Sequence, residues 1–265
     1  MPPTTTIPDA AAYNWIISPA ARCILAVGEG ARIGGLLHRA LVVLSGQKVV
    51  LRLAHSLAKI TGQSEEPVLR LLASQPELTA WSKEILNNDL HEVNVSGIIS
   101  LWASLEVAVE DTATLVLQND VQSLLDLIAI GVKPPKGAPS PLDETTARRV
   151  FARAEQVSRG NSRTIAEAYQ HILVTIGVPM SVEPAVLEKL TELNYVRNCL
   201  LHRGGVVDEK VAQEAPKLGL TTGSQVHIGK QDYADYFDAV GDFAKKLLSG
   251  AMGSRHARWK PEPSQ

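Results

Sequence analysis

Leu193-Asn194-Tyr195-Val196-Arg197-Asn198-Cys199-Leu200-Leu201-His202-Arg203-Gly204-Gly205 reads as the last turns of a helix. A helical apolar pattern runs over residues 186–201, and two glycines then offer the positive-φ positions at which helices end. At about 100° per residue, Val196, Leu200, Leu193, Leu190 and Leu201 share one arc, and Arg197 falls inside it. A guanidinium on an apolar face needs an anion, a cluster of carbonyls or a neighbouring subunit, because an unpaired buried charge is costly. Asn198 and His202, four residues apart, share a second face about 100° further round. The segment therefore offers an arginine, an amide and an imidazole near one helix end.

Arg197-Asn198 followed by His202 resembles the signature of the HEPN helical superfamily, which is an arginine, a polar residue and a histidine a few residues on. The continuation is similar too: Arg203-Gly204-Gly205-Val206-Val207-Asp208, then Gly223-Ser224-Gln225-Val226-His227-Ile228, then a closing helix over residues 232–248. The resemblance covers residues 95–250. It implies an all-α, HEPN-like helical bundle, here with an additional N-terminal helical region. It also implies a metal-independent endoribonuclease that works as a homodimer on RNA. HEPN members often carry an acidic residue in their first long helix, which makes Glu106 the natural partner of Arg197. Toxin members imply a cognate inhibitor protein. Some carry a tyrosine two residues after the histidine as a site of modification, whereas this chain has Gly204 there.

At 265 residues the chain can bury a substantial core. A formal charge of −2 and a pI near 6.4 exclude a global basic field, so any RNA contact is local. Basic residues gather at Arg148, Arg149, Arg153, Arg159 and Arg163, and again at Arg255, His256, Arg258 and Lys260. Such runs are either solvated helix faces or phosphate contacts. Cys23 and Cys199 lack disulfide or zinc spacing and suit a reducing compartment. The first residues show no basic segment leading into an apolar one, and no uncharged apolar run reaches membrane-spanning length. The expectation is a soluble, cytoplasmic protein with no membrane segment, cofactor or metal.

Three regions are expected. Residues 1–90 form an N-terminal helical region of unknown role, opening on a flexible Pro- and Thr-rich arm of about a dozen residues. Residues 91–250 form the HEPN-like domain, and residues 251–265 a disordered tail. Cys23-Ile24-Leu25-Ala26-Val27-Gly28-Glu29-Gly30-Ala31-Arg32-Ile33-Gly34 imitates a strand entering a dinucleotide-binding loop. The third glycine comes one residue late, however, and no Asp or Glu lies between Arg32 and Gly62 to hold a ribose. Helices are expected instead, best over 36–44 and 49–60, then two short ones over 65–72 and 77–86 with Pro67 and Pro76 in their opening turns.

A long helix over 94–118, capped by Asn94 or Ser96, carries the stripe Ile98, Trp102, Leu105, Val109, Ala113 and Val116, with Glu106 at its edge. Shorter helices follow over 121–130, from the cap Asp143 to 159, and from Asn161 or Ser162 to 176, with a loop over 131–142. After Gly205 come a short helix over 208–214, an extended turn over 225–228 and the closing helix. The closing helix's Tyr233, Tyr236, Phe237, Val240 and Phe243 read as core, not as a base-stacking platform.

RNA cleavage without metal needs a base for the ribose 2′-hydroxyl, an acid for the leaving 5′-oxygen and a cation for the phosphorane. Here His202 is the base or acid, and Arg197 the phosphate contact. Asn198 orients His202 or the phosphate, and Glu106 partners Arg197. One protomer supplies one such histidine; a symmetric dimer supplies two. The competing reading is a non-catalytic dimerisation module, or one that binds nucleotides or proteins. In it Arg197 and Glu106 merely fix the packing, and His202 meets the helix's last carbonyls. Other constellations fail: His91-Glu92 lacks a second histidine at Val95, and Cys199 with His202 lacks further ligands. His38, His55, His171, His227 and His256 read as ordinary structural or surface histidines.

Overall fold

The computed structural model describes residues 15–46, 48–61, 64–138, 141–161, 163–214 and 219–258. The expected arm over the first dozen residues, the candidate cap Ser162 and the tail from residue 259 onward lie outside these. After a turn of 3-10 helix at Trp15–Ile17 come α1 (Ser18–Gly46), α2 (Lys48–Thr61) and α3 (Glu66–Asn87). The central elements are α4 (His91–Asn119), α5 (Val121–Ala129), α6 (Glu144–Gly160) and α7 (Ile165–Thr175). α8 (Pro184–Arg203), α9 (Glu209–Glu214) and α10 (Lys230–Gly253) complete the chain, followed by a 3-10 turn at Arg255–Arg258. The protein is all-α: among the described residues the one β feature is an antiparallel bridge between Val206 and Gln225.

α4 is the axis of the bundle. Its expected stripe is buried throughout, with Ile98, Trp102, Val109, Ala113 and Val116 wholly enclosed. It packs against α1, α6, α7, α8 and α10. Rings from three helices meet at its centre, where Trp102 and Phe151 each stack on Tyr169 with centroids 6.3 Å apart. Among the described residues α4 alone is long and apolar enough to cross a membrane, and its apolar stripe is packed into the core.

Five local expectations need correction. α1 does not break at its glycines but runs 29 residues through Gly28, Gly30, Gly34 and Gly35, so 36–44 is no separate helix. A helical glycine costs only about 1 kcal/mol against alanine, and Ile16, Ala20, Cys23 and Val27 anchor this end of the chain in the main core. The two short helices over 65–86 are one, α3, with exposed Pro76 inside it. α4 begins at His91 after a left-handed Leu90 (φ 63°), and Asn94 is no cap: its buried amide donates to Asp89 O and Ile228 O, both at 3.0 Å. The cap of α7 is Thr164, in a reciprocal capping box with Glu167.

The tail is the fifth. Residues 251–258 are folded: α10 continues to Gly253, and Ala251, Ser254 and His256 are buried. Arg255 donates to Asp120 and Asp126 at 2.9 Å each, and His256 Nε2 lies 2.8 Å from Ile176 O. Gly250 admits this arrangement, since a Cβ there would stand 2.4 Å from Pro179 O.

Nor does residue 90 mark a gap in packing, because α1 lies on both α4 and α10. Beyond that anchor, however, the N-terminal helices form an arm with a small core of Leu41, Ile85 and Leu90. Among the described residues twenty large apolar side chains are exposed, and twelve of them fall between Leu25 and Trp81, in the arm. A groove of about 980 Å³ lies between α1, α3, the start of α4 and α10, walled by Ile33, Leu37, Trp81, Val93, Tyr233 and Phe237. Of the closing-helix stripe, Tyr236, Val240 and Phe243 are buried core, whereas Tyr233 and Phe237 are half-buried and face this groove.

Candidate functional site

α8 starts at Pro184, whose missing N–H is one that a first turn leaves unpaired anyway. It ends at Gly204, in the left-handed region at φ 60°, followed by Gly205 at φ 83°. Gly205 is needed twice, for its φ and because a Cβ would meet Gln225 Oε1 at 2.9 Å. Its N–H donates to Cys199 O at 3.1 Å and its carbonyl accepts from Val226 N at 2.9 Å. Cys199 Sγ, buried, lies 3.4 Å from Val206 O, and Arg203 pairs with Asp208 at 3.0 Å. The end of α8 is thereby held between its own glycine turn and the segment that leads into α10.

Three of the four expected site residues come together on this frame. Arg197, with 23% of its side chain exposed, donates from Nη1 to Asn198 Oδ1 at 3.0 Å and from Nη2 to Glu106 Oε2 at 3.5 Å. Its Nε is buried and has no acceptor among the described residues. Asn198 donates in turn to Asn194 Oδ1 at 3.4 Å. His202 stands one turn further on the same face as Asn198, exposed, and outside this hydrogen-bonded set. Asn198 therefore holds the guanidinium, not the imidazole as one expectation had it. The last carbonyls of α8 are met by the glycine turn, not by His202.

The region behind Arg197 is acidic. Burial pushes the Glu155 carboxyl up, against the pull of Arg159 and with help from Glu106 and Glu110. Burial likewise raises the Tyr169 hydroxyl, with Glu106 and Glu155 adding to it.

The basic cluster of α6 and the turn after it divides in two. Arg148 is committed to Glu110, Asp111 and Glu144, and Arg153 donates to Lys133 O at 2.6 Å. Arg159 and Arg163 instead reach a cleft of about 590 Å³ that also takes in Glu155, Gln156, Thr164, Tyr195 and Lys210. Arg159 keeps a loose pair to Glu155 at 3.4 Å, whereas Arg163 and Lys210 have no carboxylate partner among the described residues. In the tail, Arg255 and His256 are structural.

Tyr195 and Lys210 were not foreseen in this cleft. Tyr195 stood two residues from Arg197 in the quoted stretch, but Lys210 reaches the cleft only because α9 folds back along α8. A second missed grouping is His91 with His227, stacked at 4.8 Å, where Ile228 N–H donates to His91 Nδ1 at 2.9 Å. Nothing in the sequence joins residues 136 positions apart. No protein family, curated protein or solved structure matches this chain.

Proposed function

We propose that the chain is a metal-independent endoribonuclease of HEPN type, working as a dimer whose composite site pairs the ends of two α8 helices. The observation that carries this reading is the guanidinium of Arg197, held at 3.0 Å by Asn198 and only loosely, at 3.5 Å, by Glu106, with His202 exposed one turn on. An arginine fork matches phosphate oxygens, and an imidazole can take or give a proton near neutrality. In the dimer one His202 takes the 2′-hydroxyl proton as that oxygen attacks phosphorus. The other protonates the departing 5′-oxygen, leaving a 2′,3′-cyclic phosphate and a 5′-hydroxyl. Arg197 stabilises the charge on the phosphorane oxygens. Leu201, 46% exposed on the same side of α8, is a suitable apolar contact across the axis. The cleft with Arg163, Lys210 and Tyr195 supplies a local basic track that the net charge of −2 does not.

A second reading, a dimerisation or nucleotide- or protein-binding module without catalysis, is favoured by Glu106 already occupying one arm of the guanidinium. Cleavage of structured and single-stranded RNAs in EDTA separates the two, with wild type compared against His202→Ala at matched circular dichroism. EDTA-resistant cutting that vanishes in the variant is the expected result, with DNA left intact for lack of a 2′-hydroxyl. A folded dimer that leaves every RNA whole refutes the catalytic reading.

A further inference from the structure

The arm presents apolar surface that its own protomer does not use. α2 packs on α3 and buries Ala58, while the stripe Leu53, Leu57 and Ile60 is 60%, 59% and 81% exposed. Positions i, i+4 and i+7 form one helical face, the pattern by which a helix lies in a groove. The groove between α1, α4 and α10 is apolar and of a size for such a face. Its glycines Gly30 and Gly34 have no atom within 4 Å of where a Cβ would stand, so the protomer makes no use of the close approach they allow.

We propose that a second copy of the chain docks here, α2 of each protomer lying in the groove of the other about a twofold axis. Area supports it. The six exposed side chains that enter the contact, Leu53, Leu57 and Ile60 on α2 and Ile33, Leu37 and Trp81 in the groove, present roughly 700 Å² of apolar surface per protomer, close to the ~800 Å² per partner of a standard interface. Charge supports it as well. Arg52 and Lys59 border the α2 stripe and have no carboxylate partner among the described residues. The groove carries Glu29, paired with exposed Arg32, and Glu92, which accepts from Asn88 and forms no ion pair with Lys or Arg among the described residues. Its lysine, Lys230, is already matched by Asp89 at 3.2 Å. A reciprocal contact brings each basic flank to an acidic mouth twice. This interface is separate from the one proposed at Arg197 and independent of whether the protein cuts RNA.

Light scattering on the full chain during gel filtration tests it. Leu57→Asp, at an exposed position that should not disturb the fold, is expected to halve the particle mass and to weaken association at least ~100-fold, because a carboxylate enters an apolar groove in both copies. Circular dichroism checks that the variant is folded. In a second arm, a tagged Leu57→Cys protomer mixed with an untagged Gly34→Cys protomer should oxidise to a mixed disulfide dimer, since native Cys23 and Cys199 are both buried. Three results overturn the proposal: a monomer at every concentration, a dimer broken by Leu201→Asp but not by Leu57→Asp, or a monomer that sediments with anionic phospholipid vesicles through Leu57. None of these readouts depends on RNA cleavage.

Discussion

Removing Arg197 and Glu106 singly and together separates a structural ion pair from a working arginine. Arg197 Nη2 and Glu106 Oε2 are 3.5 Å apart, with side chains 23% and 36% exposed and a single contact, not a bidentate one. At that distance Coulomb's law gives about 1 kcal/mol in water and several times more at the effective dielectric of about 20 near a protein surface. Partial exposure screens the pair, so its coupling energy should be under ~1 kcal/mol. Arg197→Ala also loses the bond to Asn198, worth roughly 1–2 kcal/mol, but it relieves the buried Nε that has no acceptor, which offsets about 1 kcal/mol. The expected net destabilisation is about 0–2 kcal/mol, small enough to leave the protein folded. Urea unfolding of wild type, Arg197→Ala, Glu106→Gln and the double variant measures these terms, and RNA cleavage by the same four proteins measures function. Cleavage should fall about 100-fold or more in both proteins lacking the arginine. A coupling energy of ~3–5 kcal/mol would assign the pair to architecture. So would undiminished cleavage by Arg197→Ala, and either result refutes the reasoning.

Two further outcomes follow from the geometry. Arg163→Ala and Lys210→Ala, both in the cleft beside Tyr195, should each reduce the dependence of RNA binding on log salt by about one, while Arg148→Ala, committed to three carboxylates, should leave it unchanged. His91, which sits beside Ile228 N–H, is held below its ordinary value of 6.5 by burial and by His227. The folded state then binds fewer protons than the unfolded one, so stability is complete above about pH 6.5 and declines as pH falls through and below it. His91→Asn should flatten that decline in urea unfolding, leaving the share of His171, which burial and Arg163 also hold low.

Where a single helix face decides the outcome, the sequence was legible. The stripe from Ile98 to Val116 needed only a 3.6-residue period and a large core, and every member is buried. Gly204 and Gly205 marked the end of α8 because no other residue enters the left-handed region so cheaply. Arg197 and Glu106 were readable as two charges, each set against an apolar face, and it was the resemblance to HEPN proteins that paired them. What was not legible depended on partners distant in the chain. The glycines of α1 looked like breaks because their local cost is visible and the packing of Ile16, Ala20 and Cys23 on α4 is not. Pro76 looked like a helix start for the same reason. The segment after Gly250 has the composition of a tail, and only Asp120, Asp126 and Ile176, more than seventy residues earlier, give it a place to fold. Asn198 was assigned to His202 by spacing alone, whereas its hydrogen bond goes to the guanidinium beside it.

α4 carries both proposed surfaces, and helical geometry keeps them apart. Ser96, Ser100 and Ser104, spaced four residues apart, line the groove of the arm. Glu106 follows Ser104 by two residues, about 200° round the helix, and so faces α8 on the opposite flank. Between the two faces lie Ile98, Trp102, Leu105 and Val109, all fully buried against neighbouring helices. A close-packed core of that kind does not let one face of a helix shift while the other stays in place. Docking at the arm therefore changes how many copies of Arg197 and His202 travel together without altering the spacing of any one set. Two distinct twofold contacts on one chain close into a tetramer of dihedral symmetry where their axes cross at right angles. Loss of the arm contact should return that particle to a dimer joined through α8, with the rate per site unchanged, since the groove adds no residue to the site.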